Sequence, residues 1–122
     1  LKYRQQIILK KKNLIVINDS KSTSFASSIG LLKNNQNIYW IIGGIHKKGD
    51  KLNLPKKYFK KIKAFVFGKD KKFFNNELKG KIVYENFTNL EFAFKKIILE
   101  LSFAKFIIFS LSASVLKIKV GL

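Results

Sequence analysis

Leu14-Ile15-Val16-Ile17-Asn18-Asp19-Ser20-Lys21-Ser22-Thr23 sets the fold. Leu14 to Ile17 reads as an apolar strand. It ends abruptly in polar residues that carry a carboxylate, an ammonium and three hydroxyls, just before a helix-like segment begins. In α/β proteins the carboxyl end of a strand, opening onto a helix, is where ligands usually sit. A second apolar run, Ile38 to Ile42, ends in Gly43-Gly44 and continues as His46-Lys47-Lys48-Gly49-Asp50. Two adjacent strand ends are therefore expected to present charge to one crevice.

The flanking segments repeat the strand-helix theme. Gln6 to Lys10 and Leu14 to Ile17, separated by Lys11-Lys12-Asn13, read as a hairpin. Thr23 to Leu32 repeats Phe25, Ile29 and Leu32 at helical spacing, with Gly30 a mild weakness. After the polar break at residues 34–37, Ile38 to Ile42 is continuously apolar, as expected for a strand covered on both faces. Leu54 to Lys61 predicts a short helix with Pro55 in its first turn, and Ala64 to Phe67 a buried strand stopped by Gly68. Lys71 to Leu78 predicts a helix, Ile82 to Tyr84 a short strand, and Phe106 to Phe109 a last strand. Leu90 to Leu101 predicts a helix with Phe94, Ile97, Ile98 and Leu101 on one face. Such alternation implies a mostly parallel sheet with helices on both sides, right-handed crossovers, and ligands at the carboxyl edge.

At 122 residues the chain fits one domain around one core. A hydrophobic content of 47% with 12 Phe excludes a disordered tail, and no apolar run approaches the 18 or so residues of a membrane span. The start at Leu1, without methionine or a charged-then-apolar leader, gives the expectation of a piece of a longer protein. Absence of cysteine excludes disulfides and thiolate metal sites. A net charge of +18 would ordinarily suggest nucleic acid or an anionic membrane. Lysine supplies all but one of the 25 basic residues, Arg4 being the exception, whereas nucleic-acid readers lean on arginine. A solvated lysine surface is the simpler account.

Asp19, Ser20 or Ser22 can each cap the following helix, contributing about 1 kcal/mol. Capping does not call for Lys21, whose charge opposes the positive end of a helix dipole, so the run equally fits a bound anion. Gly43-Gly44 permits positive φ or close backbone approach. No phosphate loop or dinucleotide fingerprint is present. His46 is the single histidine, which excludes a multi-histidine metal site; it is expected to lie solvated in its loop, and no Ser-His-Asp triad can be argued. Trp40 and the phenylalanines fall within apolar runs and are expected in the core. Ser110, Ser112 and Ser114 follow the last strand at the same edge, as a solvent face or as donors to a carboxylate held by Lys21 or Lys47.

Together these residues resemble the C-terminal domain of the Mur ligases, in the branch of the MurD type. Tyr3-Arg4 resembles the family's His-Arg. Ile17-Asn18-Asp19-Ser20-Lys21-Ser22-Thr23 resembles its Asn-Asp-Ser-Lys-Ala-Thr signature. Trp40 to Gly44 with Lys47 and Asp50 resembles its Gly-Gly-x-x-Lys loop; Phe67-Gly68 fits a later strand that ends in glycine. Phe109-Ser110 to Ser114 resembles the start of its Ser-Pro-Ala-x-Ala-Ser motif. The resemblance implies an α/β, Rossmann-like three-layer domain with a mostly parallel sheet, helices on both faces and an N-terminal β-hairpin. It implies residues 1–122 as the amino-acid-binding domain of an ATP-dependent amide ligase of cytoplasmic peptidoglycan precursor synthesis. That enzyme joins D-glutamate to UDP-N-acetylmuramoyl-L-alanine. The partners implied are the enzyme's own central and N-terminal domains, with ATP and Mg2+ bound mainly by the central one, so the isolated chain is expected to be inactive.

By position the resemblance puts Arg4 and Asp19 at the nucleotide ribose and Lys21 at the phosphates and reacting groups. Thr23, Lys47 and Ser114 would hold the D-glutamate carboxylates. Leu111 replaces the motif's proline, and residues 115–122 do not continue the family pattern, as a truncated or frameshifted end would produce. A different class of function, a polyanion or nucleic-acid binding module, would use Lys56-Lys57, Lys60-Lys61 and Lys69 to Lys72. A third reading is a degenerate domain from a damaged gene, which would fold poorly and bind nothing.

Overall fold

The structure is a computed structural model. It describes the backbone of residues 6–11, 14–18, 25–100 and 106–111, and the side chains of residues 25–100. Six strands form one sheet: β1 (Gln6–Lys11), β2 (Leu14–Asn18), β3 (Ile38–Gly43), β4 (Ile62–Phe67), β5 (Val83–Phe87) and β6 (Phe106–Leu111). Their spatial order is β1-β2-β6-β3-β4-β5. β1 pairs antiparallel with β2, which confirms the hairpin, and every other pairing is parallel. The helices are α1 (Phe25–Asn34), α2 (Lys71–Leu78) and α3 (Leu90–Leu99), with a 3-10 helix at Lys56–Lys61.

Strand alternation divides the core in two. Ile38, Trp40 and Ile42 of β3 and Ile62, Ala64 and Val66 of β4 face one layer, where they pack with Phe25 and Leu32 of α1 and Phe74 and Leu78 of α2. Trp40 is fully buried and meets Phe25 edge-on at 6.0 Å, which places it in the core as expected. The intervening residues Ile41 and Phe65 are also fully buried, beneath α3, whose Ala93, Phe94 and Ile97 are buried in turn. Burial on both faces explains the unbroken apolar reading of β3. Each fully buried Leu, Ile or Phe contributes about 1.5–3 kcal/mol. The three-layer α/β class, with helices on both faces, is thus borne out.

Several details differ from the sequence pattern. The segment after Pro55 closes as a 3-10 helix beginning at Lys56; proline cannot donate, and Tyr58 N–H returns to the Pro55 carbonyl at 3.0 Å. β4 starts two residues earlier than predicted, at Ile62. The short strand predicted at Ile82 to Tyr84 is β5, beginning at Val83 and extended by pairing to Phe87. In α3 the buried stripe is Ala93, Phe94 and Ile97, while Ile98 is exposed; Leu101 lies outside the described residues. Asn89 caps this helix, accepting from Phe92 N–H at 3.0 Å.

Gly43 is required by packing. A Cβ there would stand 2.5 Å from the Phe67 ring and 2.6 Å from the Phe67 carbonyl oxygen. Gly44 follows with φ of 93°, so the close approach and positive φ expected of the glycine pair are both found.

Candidate functional site

The five parallel strands share a carboxyl edge. Register aligns Asn18 of β2, Phe109 of β6 and Ile41 of β3, and two residues further on Gly43 meets Leu111 and Phe67. The ends of β2 and β3 are not neighbours, as sequence order had suggested: β6 lies between them, putting them two strand spacings apart, about 10 Å. β6 brings Ser110 into that gap, paired with Ile42.

What returns the two segments to each other is Asp50. The Phe25 N–H, at the start of α1, donates to Asp50 Oδ2 at 2.9 Å. The first turn of a helix leaves its N–H groups without internal partners, and a carboxylate there also meets the positive end of the dipole. The sequence had offered Asp19, Ser20 or Ser22 as caps; these lie outside the described residues, and a carboxylate from the next strand's loop does the work on Phe25. This bond fastens the loop after β3 to the start of α1.

The other end of the loop is fastened as well. Asp70 Oδ2 accepts both the His46 backbone N–H and the ring Nδ1–H, each at 2.8 Å. An ionised carboxylate only accepts, so Nδ1 is the protonated ring nitrogen. The ring stacks on Phe73 at 4.0 Å between centroids, and Phe73 in turn stacks on Phe25 at 6.1 Å. The expectation of a solvated His46 is therefore corrected: the ring is half-buried, held by Asp70 and laid on an aromatic face. Asp70 stands at the N-cap position of α2 but makes no side-chain cap bond, its carboxylate being turned to the loop. The His46 backbone N–H, then its ring, hold the Asp70 carboxyl below the usual carboxylate range.

Between the two anchors the chain makes a tight turn. Asp50 N–H donates to the Lys47 carbonyl at 3.0 Å, and Gly49 takes φ of 79°, as the third residue of a type II turn requires. Beyond it, Leu52 N–H donates to Glu77 Oε1 at 2.9 Å. Lys47 thus projects from the first position of a turn pinned at both ends, exposed, and with no carboxylate paired to it among the described residues. An ammonium without a paired carboxylate, carried on a pinned turn, suits a small acidic ligand.

Of the predicted site residues, Lys47 is among the described ones; Arg4, Asp19, Lys21, Thr23 and Ser114 lie outside them. Among the described residues no three His, Cys, Asp or Glu converge as metal ligands. No described helix is long and apolar enough to cross a membrane. The roles of Asp50 and Asp70 went unread in the sequence. The available signals were a glycine just before one, as in a tight turn, and a helix start just after the other.

The sheet and this fastened loop make an α/β domain, and comparison with known proteins shows the chain to be similar to Mur ligases of the MurD type. The relatives are named UDP-N-acetylmuramoylalanine--D-glutamate ligase. In Wolbachia sp. subsp. Brugia malayi (strain TRS) the chain is 36% identical over 95 residues, 78% of this chain and 19% of the relative. In Rickettsia prowazekii (strain Madrid E) it is 41% identical over 95 residues, 77% and 21% respectively. In Rhizobium meliloti (strain 1021) it is 34% identical over 91 residues, 75% and 20%. These matches bear out the resemblance read from the sequence. The chain spans about a fifth of the length of these relatives. No family model matches it.

Proposed function

We propose that the chain is the C-terminal, amino-acid-binding domain of an ATP-dependent amide ligase that joins D-glutamate to UDP-N-acetylmuramoyl-L-alanine in the cytoplasm. The observation that carries this reading is the Asp50 bond to the Phe25 N–H, which brings the Lys47 loop to the helix that follows Asp19 to Thr23. That the Lys47 loop is tied to the start of α1 supports a pocket shared with the Asp19 to Thr23 motif. Curated relatives that carry the ligase name support the same reading.

In the proposed reaction, the γ-phosphoryl group of ATP passes to the muramoyl-alanine carboxylate, giving an acyl phosphate and ADP. The amine of D-glutamate then attacks the acyl carbon and inorganic phosphate leaves. Lys21 would stabilise charge on the phosphates and reacting groups. Thr23, Lys47 and Ser114 would hold the D-glutamate carboxylates, each charge-assisted bond contributing about 1.5–3 kcal/mol. Arg4 and Asp19 would meet the nucleotide ribose. Bound ATP and Mg2+ belong mainly to a central domain, so residues 1–122 alone do not turn over.

The test is reconstitution. The chain is added to a polypeptide carrying the central and N-terminal domains, with ATP, Mg2+, UDP-N-acetylmuramoyl-L-alanine and D-glutamate. D-glutamate-dependent phosphate release is expected only when both pieces are present. Release no greater than in the control lacking the chain would count against the proposal.

A further inference from the structure

At the opposite, amino edge of the sheet lies a depression of about 510 Å³ between the end of α1 and the 3-10 helix. Its walls are Lys33, Lys57, Lys60, Lys61, Tyr58 and the amides of Gln36 and Asn37. Every one of these side chains can donate a hydrogen bond, and no carboxylate lines it. Three ammonium groups converge on one ring: Lys61 Nζ lies 4.8 Å, Lys57 Nζ 5.1 Å and Lys33 Nζ 6.0 Å from the Tyr58 centroid.

Lysine excess alone does not produce this. An exposed lysine ordinarily moves away from its like neighbours into water. Here Lys61 is partly desolvated, donates at 2.6 Å to the Lys33 carbonyl near the end of α1, and is drawn below the ordinary lysine range by burial. Lys63, two residues on, shows the alternative, an ammonium bonded to Glu85 at 3.0 Å and Glu100 at 3.2 Å. At Tyr58 the cation-π faces of the ring hold the lysines together, and their remaining N–H donors have no described anion to meet.

We infer that this depression is a binding site for a compact chain of phosphates, distinct from the carboxyl-edge site. The strands run about 20 Å from one edge to the other, so the two sites do not share residues. Several adjacent negative charges match several converging ammonium groups, whereas one carboxylate would leave most of them unanswered. Lysine ammonium groups already stand over the Tyr58 ring and would compete with a nucleobase for it, which favours phosphates alone over a nucleic-acid strand.

The experiment uses the 122-residue chain and sodium tripolyphosphate, by calorimetry at about 0.15 M salt, with circular dichroism to check folding. The double variant Lys57→Gln/Lys61→Gln is expected to bind about tenfold or more weakly. A double variant with the same loss of charge elsewhere, Lys71→Gln/Lys72→Gln, should bind as the unaltered chain does. Lys57→Gln alone, at an exposed position, gives a second measure should the double variant misfold. ATP bound through the same lysines would identify a nucleoside triphosphate as source, and tripolyphosphate bound without ATP an inorganic one; either supports the site. Equal weakening in the two double variants, or an oligothymidylate of equal phosphate number binding more tightly, overturns it.

Discussion

The carboxyl and amino edges of this sheet use lysine in opposite ways. At the carboxyl edge the carboxylates Asp50 and Asp70 are spent on backbone and ring N–H groups, so they fix the loop's shape and leave Lys47 without a paired carboxylate among the described residues. At the amino edge Lys63 is neutralised between Glu85 and Glu100, while Lys33, Lys57 and Lys61 gather on Tyr58 with no carboxylate beside them. For Lys63, burial works against the charge, but the bonds to Glu85 and Glu100 outweigh it and hold the ammonium above the ordinary lysine range. The number of lysines therefore says little about function in a chain of net charge +18. What matters is where the few acids are placed, because they decide which ammonium groups remain available.

The largest expected effect tests the availability of Lys47. In the reconstituted reaction Lys47→Ala, and separately Lys21→Ala, should each lower D-glutamate-dependent phosphate release by about 100-fold or more, as loss of one preorganised charge at a reacting centre does. Rates like those of the unaltered chain in both variants would remove the carboxyl edge from the comparison. Next is the backbone that supports it. Gly43→Ala drives a Cβ into the Phe67 ring and carbonyl, and should cost about 2–3 kcal/mol in chemical denaturation; an unchanged midpoint would mean that β3 and β4 part easily at this edge.

Asp50→Ala should cost about 1 kcal/mol through the lost bond to Phe25 N–H, and should raise the D-glutamate KM more than it lowers kcat, because it frees the turn that carries Lys47. Asp50→Asn, which keeps an acceptor, should recover most of both. If KM stays put in the alanine variant, Asp50 is a helix cap and nothing more.

Asp70 gives the comparison a pH dependence. Its carboxyl is lowered in the folded chain, so its contribution is fully present above the unfolded value of about 4 and is lost as pH falls through the still lower folded value. His46 ring resonances should therefore shift on acidification below about pH 4, and this shift should vanish in Asp70→Asn. The smallest effect serves as a control lying between the edges. Gly30, exposed within α1 with nothing near its missing Cβ, should accept alanine with a gain of about 0.5–1 kcal/mol and no change at either site.

Much of the architecture was legible in the chain. Alternating apolar runs and helical spacing, punctuated by Pro55, Gly68 and the polar break at 34–37, gave every strand and helix found here, because burial periodicity is a local property. The continuous apolar stretch from Ile38 to Ile42 announced a strand covered on both faces. The resemblance to Mur ligases likewise rested on short motifs whose spacing is written in the chain.

The candidate site was legible only as two separate polar loops. That β6 would insert between β2 and β3 depends on where α3 packs, and no residue of either strand encodes it locally. Asp50 reaching Phe25, His46 lying between Asp70 and Phe73, and Lys33 joining Lys57 and Lys61 at Tyr58 are likewise partnerships across 24 or more positions. Sequence fixes what each segment can bury, since side-chain polarity and period are carried by neighbours along the chain. Which charge meets which is decided only when the layers close, because a hydrogen bond or ion pair requires atoms a few ångströms apart and distance along the chain does not set that.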